Sequence, residues 1–116
     1  MKILIVDDVT FMRKMLSDKI TKLGHEVIEA YNGEDAVNKS RRECPDVVFM
    51  DVVMPKMDGI TATKLITEEL EGKVIICSVL SNRARVIEAI RAGASDYIVK
   101  PVDDERLREA INRHKK

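Results

Sequence analysis

Residues 2–8 read KILIVDD, a short apolar run that is closed by two carboxylates. The pattern predicts a buried strand over residues 2–6, followed at once by Asp7 and Asp8. A second apolar run at residues 47–50 ends in the same way, with Asp51 directly after it. A carboxylate at the end of a buried strand adds little to packing, but open parallel sheets bind ligands beyond the carboxyl ends of their strands. These acids are therefore candidate functional residues.

Polar side chains also follow two further predicted strands. Ser78 follows the apolar residues 74–77, and Lys100 follows residues 97–99. Each group has an ordinary alternative role: the first acid pair can cap a helix from about Thr10, the hydroxyl can bond backbone, and the ammonium can pair with a surface acid. In a parallel sheet, however, all these groups meet at one edge, and this convergence favours a functional site.

Five apolar runs, at residues 2–6, 26–30, 47–50, 74–78 and 97–99, alternate with helical patterns. The alternation predicts an α/β fold, with a parallel sheet covered by helices on both faces. Asn32 and Asp103 are the predicted N-caps of the second and fifth helices. The stripes expected to pack on the sheet are Met12, Leu16, Ile20 and Leu23 in the first helix; Ala62, Leu65, Ile66 and Leu70 in the third; Val86, Ile87 and Ile90 in the fourth; and Leu107, Ala110 and Ile111 in the fifth.

Length and composition narrow the class of protein. The 116 residues fit a single domain spanning 1–116, and the formal net charge of zero argues against nucleic acid as a partner. The apolar runs are far shorter than the ~20 residues of a membrane span, and we identify no secretory signal pattern. Cys44 and Cys77 have no metal-like spacing, so we expect reduced thiols in a cytoplasmic protein. His25 and His114 are predicted to lie at the surface.

The chemistry of the three acids indicates a metal and a phosphoryl group. Gathered carboxylates repel one another, and a hard divalent cation such as Mg²⁺ relieves that repulsion while bridging to a phosphate. Asp51 stands alone after its strand, and such a carboxylate can attack phosphorus to form an acyl phosphate. Lys100 and the Ser78 hydroxyl would then meet the charge on the transferred group.

The whole chain resembles the receiver domain of two-component response regulators. The matching residues are Asp7-Asp8, Asp51, Met54-Pro55 through Asp58-Gly59, Ser78, and Tyr97 through Pro101. The resemblance implies a flavodoxin-like, doubly wound sheet of five parallel strands in the order 2-1-3-4-5, flanked by five helices. Within the family, the opening sequence and the lack of an output domain are most similar to the stand-alone members that act in chemotaxis.

The resemblance also implies a role for each residue. Asp51 would accept a phosphoryl group from a histidine kinase. Asp8 would bind Mg²⁺ directly and Asp7 largely through water, with Asp51 and the backbone carbonyl of Val53 as the other protein ligands. Lys100 would contact the phosphoryl group and precede Pro101 through a cis bond. Ser78 and Tyr97 would switch the face formed by the fourth helix, fifth strand and fifth helix, so that a monomeric protein engages a downstream target such as the flagellar motor switch.

Three positions depart from the family pattern. Val79 replaces the usual Ala or Gly, and Val53 and Leu80 stand where some relatives carry polar residues that orient the hydrolytic water. We therefore expect slow loss of the phosphoryl group. The alternatives are a single-domain receiver in another phosphorelay, an aspartate-nucleophile phosphotransferase, a flavin module and a receiver-like scaffold that is never phosphorylated. Val53 argues against the phosphotransferase because such enzymes commonly place an acid there, and Asp7-Asp8 would repel a flavin phosphate.

Overall fold

The computed structural model describes residues 1–52, 59–70, 73–79 and 83–114, and of Leu70 only the backbone. Its single sheet has five parallel strands in the order β2-β1-β3-β4-β5. The elements follow one another as β1 Lys2–Val6, α1 Thr10–Lys22, β2 Glu26–Ala30, α2 Gly33–Glu43, β3 Val47–Asp51, α3 Gly59–Leu70, β4 Lys73–Ser78, α4 Arg83–Arg91, β5 Asp96–Val99 and α5 Asp104–Arg113. The predicted α/β class, strand order and helix count are confirmed.

Two apolar layers lie on opposite faces of the sheet. Successive side chains of a strand point to opposite faces, so Leu4 and Val6 join one layer while Ile3 and Ile5 join the other. Helices α2, α3 and α4 cover the first layer, and α1 and α5 cover the second. Burial on both faces explains why the central strands read as continuous apolar runs.

Local signals set several helix ends as predicted. The Asn32 side chain accepts a hydrogen bond of 2.7 Å from the backbone N–H of Asp35, and Asp103 caps α5 in the same way. Gly24 follows α1 with a φ of +92°, a conformation that glycine adopts without strain. The acid pair does not cap α1, because its N-cap is Val9 and no side chain caps that end. Asp7 instead accepts a hydrogen bond from the backbone N–H of Val9, in the loop just before the helix.

The predicted stripe of α4 is partly wrong. The helix buries Ala89 and half-buries Val86, whereas Ile87 and Ile90 are 48% and 41% exposed. The physical reason is that α4 packs against β4 and α3, whereas the neighbouring strand β5 is an edge strand whose Tyr97 and Val99 are exposed. The sheet therefore offers this helix only a narrow apolar surface. The two isoleucines instead border an open cavity beside β5.

The prediction of a surface position is also wrong for His114. Its side chain is 10% exposed and lies beside Asp96, with 3.5 Å between Nε2 and the carboxylate. The closing turn of α5 folds the imidazole back against the start of β5, a contact between residues far apart in sequence. Within the described ranges, no helix is both long enough and apolar enough to cross a membrane.

Candidate functional site

Strand order brings the three acids together. β1 and β3 are neighbours with Val6 opposite Met50. Asp7, the first residue after β1, therefore lies beside Asp51, the last residue of β3. One carboxylate oxygen from each of Asp7, Asp8 and Asp51 lies within 4.8 Å of the other two. Asp7 is buried, Asp51 is half-buried and Asp8 is exposed. The cluster therefore opens to solvent on the side of Asp8.

Lys100 reaches into the same cluster from β5. Its Nζ lies 3.0 Å from Oδ2 of Asp7 and 3.5 Å from Oδ2 of Asp51. Its backbone N–H donates to the carbonyl of Ser78, which anchors the end of β5 to the end of β4. The Lys100–Pro101 bond is cis, as the resemblance implied. An ammonium is thus held against two of the acids.

The charge state of Lys100 follows from two opposed effects. Burial alone would lower the pKa of this ammonium, because a charge is poorly solvated away from water. The charge of Asp51 and the hydrogen bond and charge of Asp7 outweigh burial, so the pKa of Lys100 is raised. The side chain therefore remains cationic at physiological pH. It offsets one of the negative charges of the cluster and leaves a net negative site.

The cluster suits a hard divalent cation. All its donor atoms are carboxylate oxygens, the ligand type that Mg²⁺ and Ca²⁺ prefer, and their separation allows one ion to contact each acid. The predicted fourth ligand, the carbonyl of Val53, lies outside the described residues, as do residues 54–58 of the quoted motif and Leu80. The donor set that is described fits Mg²⁺ with water completing its coordination.

Ser78 and Tyr97 lie on adjacent strands beside a shared cavity. Ser78 is buried at the end of β4, where Oγ makes a long contact of 3.4 Å to the carbonyl of Val79. Tyr97 is 49% exposed on β5. Both residues line a cavity of about 380 Å³ that also includes Ile87 and Ile90 of α4. The cavity offers space into which an aromatic ring can turn.

Two close contacts at the site were not predicted from the sequence. A Cβ atom at Gly59 would overlap the carbonyl oxygen of Asp51 and lie 2.6 Å from Cα of Val52. Arg13 donates from Nη1 to the backbone carbonyl of Asp7 at 2.8 Å. The glycine had a weak signal, since it closes the quoted motif. The arginine closes the opening stretch, residues 8–13, on which the resemblance to the chemotaxis members rests. Nothing there indicated its partner, because every residue type offers a backbone carbonyl.

Cys77 carries the one buried thiol among the described residues. Burial is the main cause that raises its pKa to about 12, and the nearby Asp51 acts in the same direction. A thiol with so high a pKa is not ionised at neutral pH and is a poor nucleophile. Cys77 therefore serves packing, and Asp51 remains the candidate nucleophile.

Comparison with known proteins gives a consistent result. The pattern of the response regulator receiver domain matches residues 3–112. The chain is 52% identical over 114 residues to the chemotaxis protein CheY of Thermotoga maritima, covering 97% of this chain and 95% of that protein. It is 50% identical to CheY of Bacillus subtilis with the same coverage. The crystal structure of the response regulator domain of Thermotoga maritima CheB superposes with a TM-score of 0.89 at 36% identity, covering 98% of this chain and 95% of that one.

Proposed function

Because the chain belongs to the response regulator receiver family, a family of two-component signalling regulators rather than metabolic enzymes, we propose that residues 1–116 act as one phosphoacceptor domain. Asp51 accepts a phosphoryl group from a histidine kinase in a Mg²⁺-dependent reaction. The observation that carries this proposal is the contact of Lys100 with both Asp7 and Asp51 at the edge of the sheet.

The chemistry assigns a separate task to each group. A carboxylate oxygen of Asp51 forms the new bond to phosphorus as the bond from phosphorus to the kinase imidazole breaks, and the imidazole leaves with the electron pair. Lys100 lies 3.5 Å from Asp51, close enough to stabilise the charge on the transferred group. Asp7, Asp8 and Asp51 would hold Mg²⁺, with the Val53 carbonyl as the proposed fourth ligand. Mg²⁺ bound there would neutralise charge on the phosphoryl oxygens.

The output of the domain is proposed to be a repacking beside β5. The Ser78 hydroxyl moves toward the phosphoryl group, and the half-exposed ring of Tyr97 turns into the cavity next to it. The 380 Å³ cavity supports this proposal because it provides room for the ring without displacing the core. The change is a shift between two populated packings of the face formed by α4, β5 and α5. A downstream target then binds the altered face.

The pathway we propose is chemotaxis, because the two relatives at 50% identity or more carry that name. The family implies two classes of partner, a kinase and an effector protein. A single-domain receiver in another phosphorelay is the alternative. Three further properties stay predictions: slow dephosphorylation, a monomeric state and a cytoplasmic location.

The test of the proposal uses a small phosphodonor in place of the kinase. With acetyl phosphate and Mg²⁺, intact-mass analysis should show the addition of one phosphoryl group that hydroxylamine removes, as expected for an acyl phosphate. Asp51→Asn keeps the shape of the side chain and removes the nucleophile, so it should stay unmodified. Modification of Asp51→Asn at the rate of the unaltered protein would contradict the assignment.

A further inference from the structure

We propose that Arg13 is a positioning residue for the acid cluster, with Glu29 as its anchor. Arg13 would set the orientation of the peptide that joins Asp7 to Asp8, and thereby the affinity of the cluster for Mg²⁺. This inference rests on the proposed function in one respect, namely that the acids bind Mg²⁺. The contact itself is independent of that function.

The Arg13 side chain bridges two parts of the fold. Nη1 donates to the backbone carbonyl of Asp7 at 2.8 Å, and Nε donates to Oε1 of Glu29 at 3.1 Å. The two side chains are only 14% and 25% exposed, so solvent competes weakly for the bonds. Arg13 extends from the second turn of α1, whereas Glu29 belongs to the edge strand β2. The planar guanidinium therefore connects the turn after β1 to strand β2.

The contact acts on the peptide between the two acids. A peptide unit is planar, so a bond that fixes the carbonyl of Asp7 also fixes the N–H of Asp8 and the direction in which its chain leaves. The rest of Asp7 is already held: its N–H donates to Ala30, and its carboxylate accepts from Val9 and Lys100. Arg13 is thus placed to determine where the exposed carboxylate of Asp8 stands relative to Asp51.

The sign of the effect separates positioning from simple charge. Arg13 is a cation beside an acidic site, so its charge alone disfavours a second cation there. If charge is all that matters, a neutral replacement tightens Mg²⁺ binding. If positioning matters, the same replacement weakens binding because Asp8 loses its preset orientation. The two mechanisms predict changes in opposite directions.

Lys14 supplies a matched control. It is the next residue of α1, and its Nζ lies 2.9 Å from Oε2 of the same Glu29. Its side chain is 61% exposed, and its ammonium donates to the carboxylate of Glu29. Lys14→Met therefore removes one positive charge and one contact to the same anchor, while the bond to the carbonyl of Asp7 remains.

The experiment compares Arg13→Met, Lys14→Met and Glu29→Gln with the unaltered protein by Mg²⁺ titration of backbone amide NMR signals. Loss of a group that orients a metal ligand typically weakens metal affinity about 10-fold or more, and we expect that for Arg13→Met. Glu29→Gln should weaken binding less, because the amide can still accept from Nε. Lys14→Met should leave affinity unchanged or slightly tighter. Tighter or unchanged binding in Arg13→Met overturns the proposal.

A second measurement needs no metal. In Mg²⁺-free protein, the amide signals of Asp8 and Val9 should move and exchange faster with solvent in Arg13→Met than in Lys14→Met. Equal amide shifts and exchange rates in the two variants overturn the positioning role of Arg13. If Arg13→Met fails to fold, Arg13→Lys carries both measurements, because it keeps the positive charge and loses the planar group that makes both contacts. Charge alone then predicts unchanged Mg²⁺ affinity, and an unchanged affinity in Arg13→Lys overturns the proposal. Failure of the proposed function looks different, since the unaltered protein would then neither bind Mg²⁺ nor accept a phosphoryl group while the metal-free difference persisted.

Discussion

At the scale of single residues, Asp7 is the most constrained member of the site. Its side chain is 9% exposed, and both carboxylate oxygens accept hydrogen bonds, from the Val9 N–H and from the Lys100 ammonium. Asp8 is exposed by contrast. A buried, paired acid is costly to disturb, whereas an exposed one can exchange water for a metal. The two neighbouring acids therefore suit the different roles that the family resemblance implied.

The first prediction concerns metal and Asp8. A ligand that binds only the folded state stabilises it, by about 1.4 kcal/mol at a concentration tenfold above its Kd, so Mg²⁺ should raise the melting temperature. Asp8→Ala should remove most of that rise. The variant should melt no lower than the original protein without Mg²⁺, because a like charge has been removed. Thermal melts with and without Mg²⁺ measure both effects.

Asp18→Ala is the control for that experiment, since it removes an exposed acid elsewhere on the surface, on α1. It should keep the full response to Mg²⁺. A response in Asp8→Ala equal to that in Asp18→Ala would rule out Asp8 as a ligand.

At the scale of elements, α4 buries little of its surface against the rest of the fold. One residue of the helix is fully buried, Ala89, whereas α5 buries Leu107, Ala110 and Ile111. The exposed Ile87 and Ile90 line the cavity next to Tyr97 instead of filling the core. A helix with few buried contacts is the part of a fold that a small change at the site can shift.

We predict that this region responds to occupation of the site. Beryllofluoride with Mg²⁺, a stable mimic of the phosphoryl group, should shift the amide NMR signals of α4 and β5 as well as those near Asp51. Ser78→Ala should keep the shifts near Asp51 and reduce those on α4. Tyr97→Ala should also reduce the α4 shifts, because the ring that fills the cavity is gone.

Tyr31→Ala is the matched control, because Tyr31 is another exposed aromatic, 57% exposed, after β2 rather than β5. It should leave the α4 shifts intact. Shifts confined to the loops around Asp8, Asp51 and Lys100 in the unaltered protein would refute the proposed switch.

At the scale of the whole molecule, a cluster of ion pairs connects α5 to the sheet. Asp96 begins β5 and is 9% exposed. Its carboxylate lies 3.1 Å from Arg106 and 3.2 Å from Arg113, and it accepts a bond from the N–H of Tyr97 at 2.8 Å. Both arginines belong to α5. The cluster therefore adds directional contacts to the apolar packing of that helix.

The pH dependence of stability should report this cluster. Burial alone would raise the pKa of Asp96, but the Tyr97 N–H, Arg106 and His114 outweigh it and lower that pKa. A carboxyl with a lowered pKa binds fewer protons in the folded state, so its stabilisation is complete above the ordinary value of 3.8 and is lost as the pH falls through the lowered one. Asp96→Asn should lower the free energy of unfolding by roughly 2 kcal/mol at neutral pH. The free energy of unfolding of this variant should also decrease less as the pH is lowered.

Denaturant unfolding from neutral pH down to strong acid measures that difference. Asp104→Asn is the control: the pKa of Asp104 is also lowered, through its hydrogen bond with Lys19, but its side chain is 72% exposed. Exposed ion pairs contribute little, so this variant should change stability much less. If the free energy of unfolding of Asp96→Asn falls with pH just as it does in the unaltered protein, Asp96 is not a cause of the acid dependence.

The sequence by itself was sufficient for the order and type of the elements and for the acids at the strand ends. These properties depend on short-range rules: apolar runs with buried strand geometry, amphipathic helical periods, and capping residues such as Asn32 and Asp103. Strand order and the cis bond before Pro101 were expected only through the family resemblance. The positions of Asp7, Asp51 and Lys100 at one edge follow from parallel strands, whose ends must coincide.

Only the tertiary structure decided which partners those residues have. Lys100 contacts Asp7 across 93 positions of the chain, and His114 lies against Asp96 although the sequence suggested a surface position. The exposure of Ile87 and Ile90 depends on the width of the sheet beneath α4. Arg13 meets a backbone carbonyl, which every residue type offers equally. Such contacts depend on the packing of distant segments, so no local pattern in the sequence encodes them.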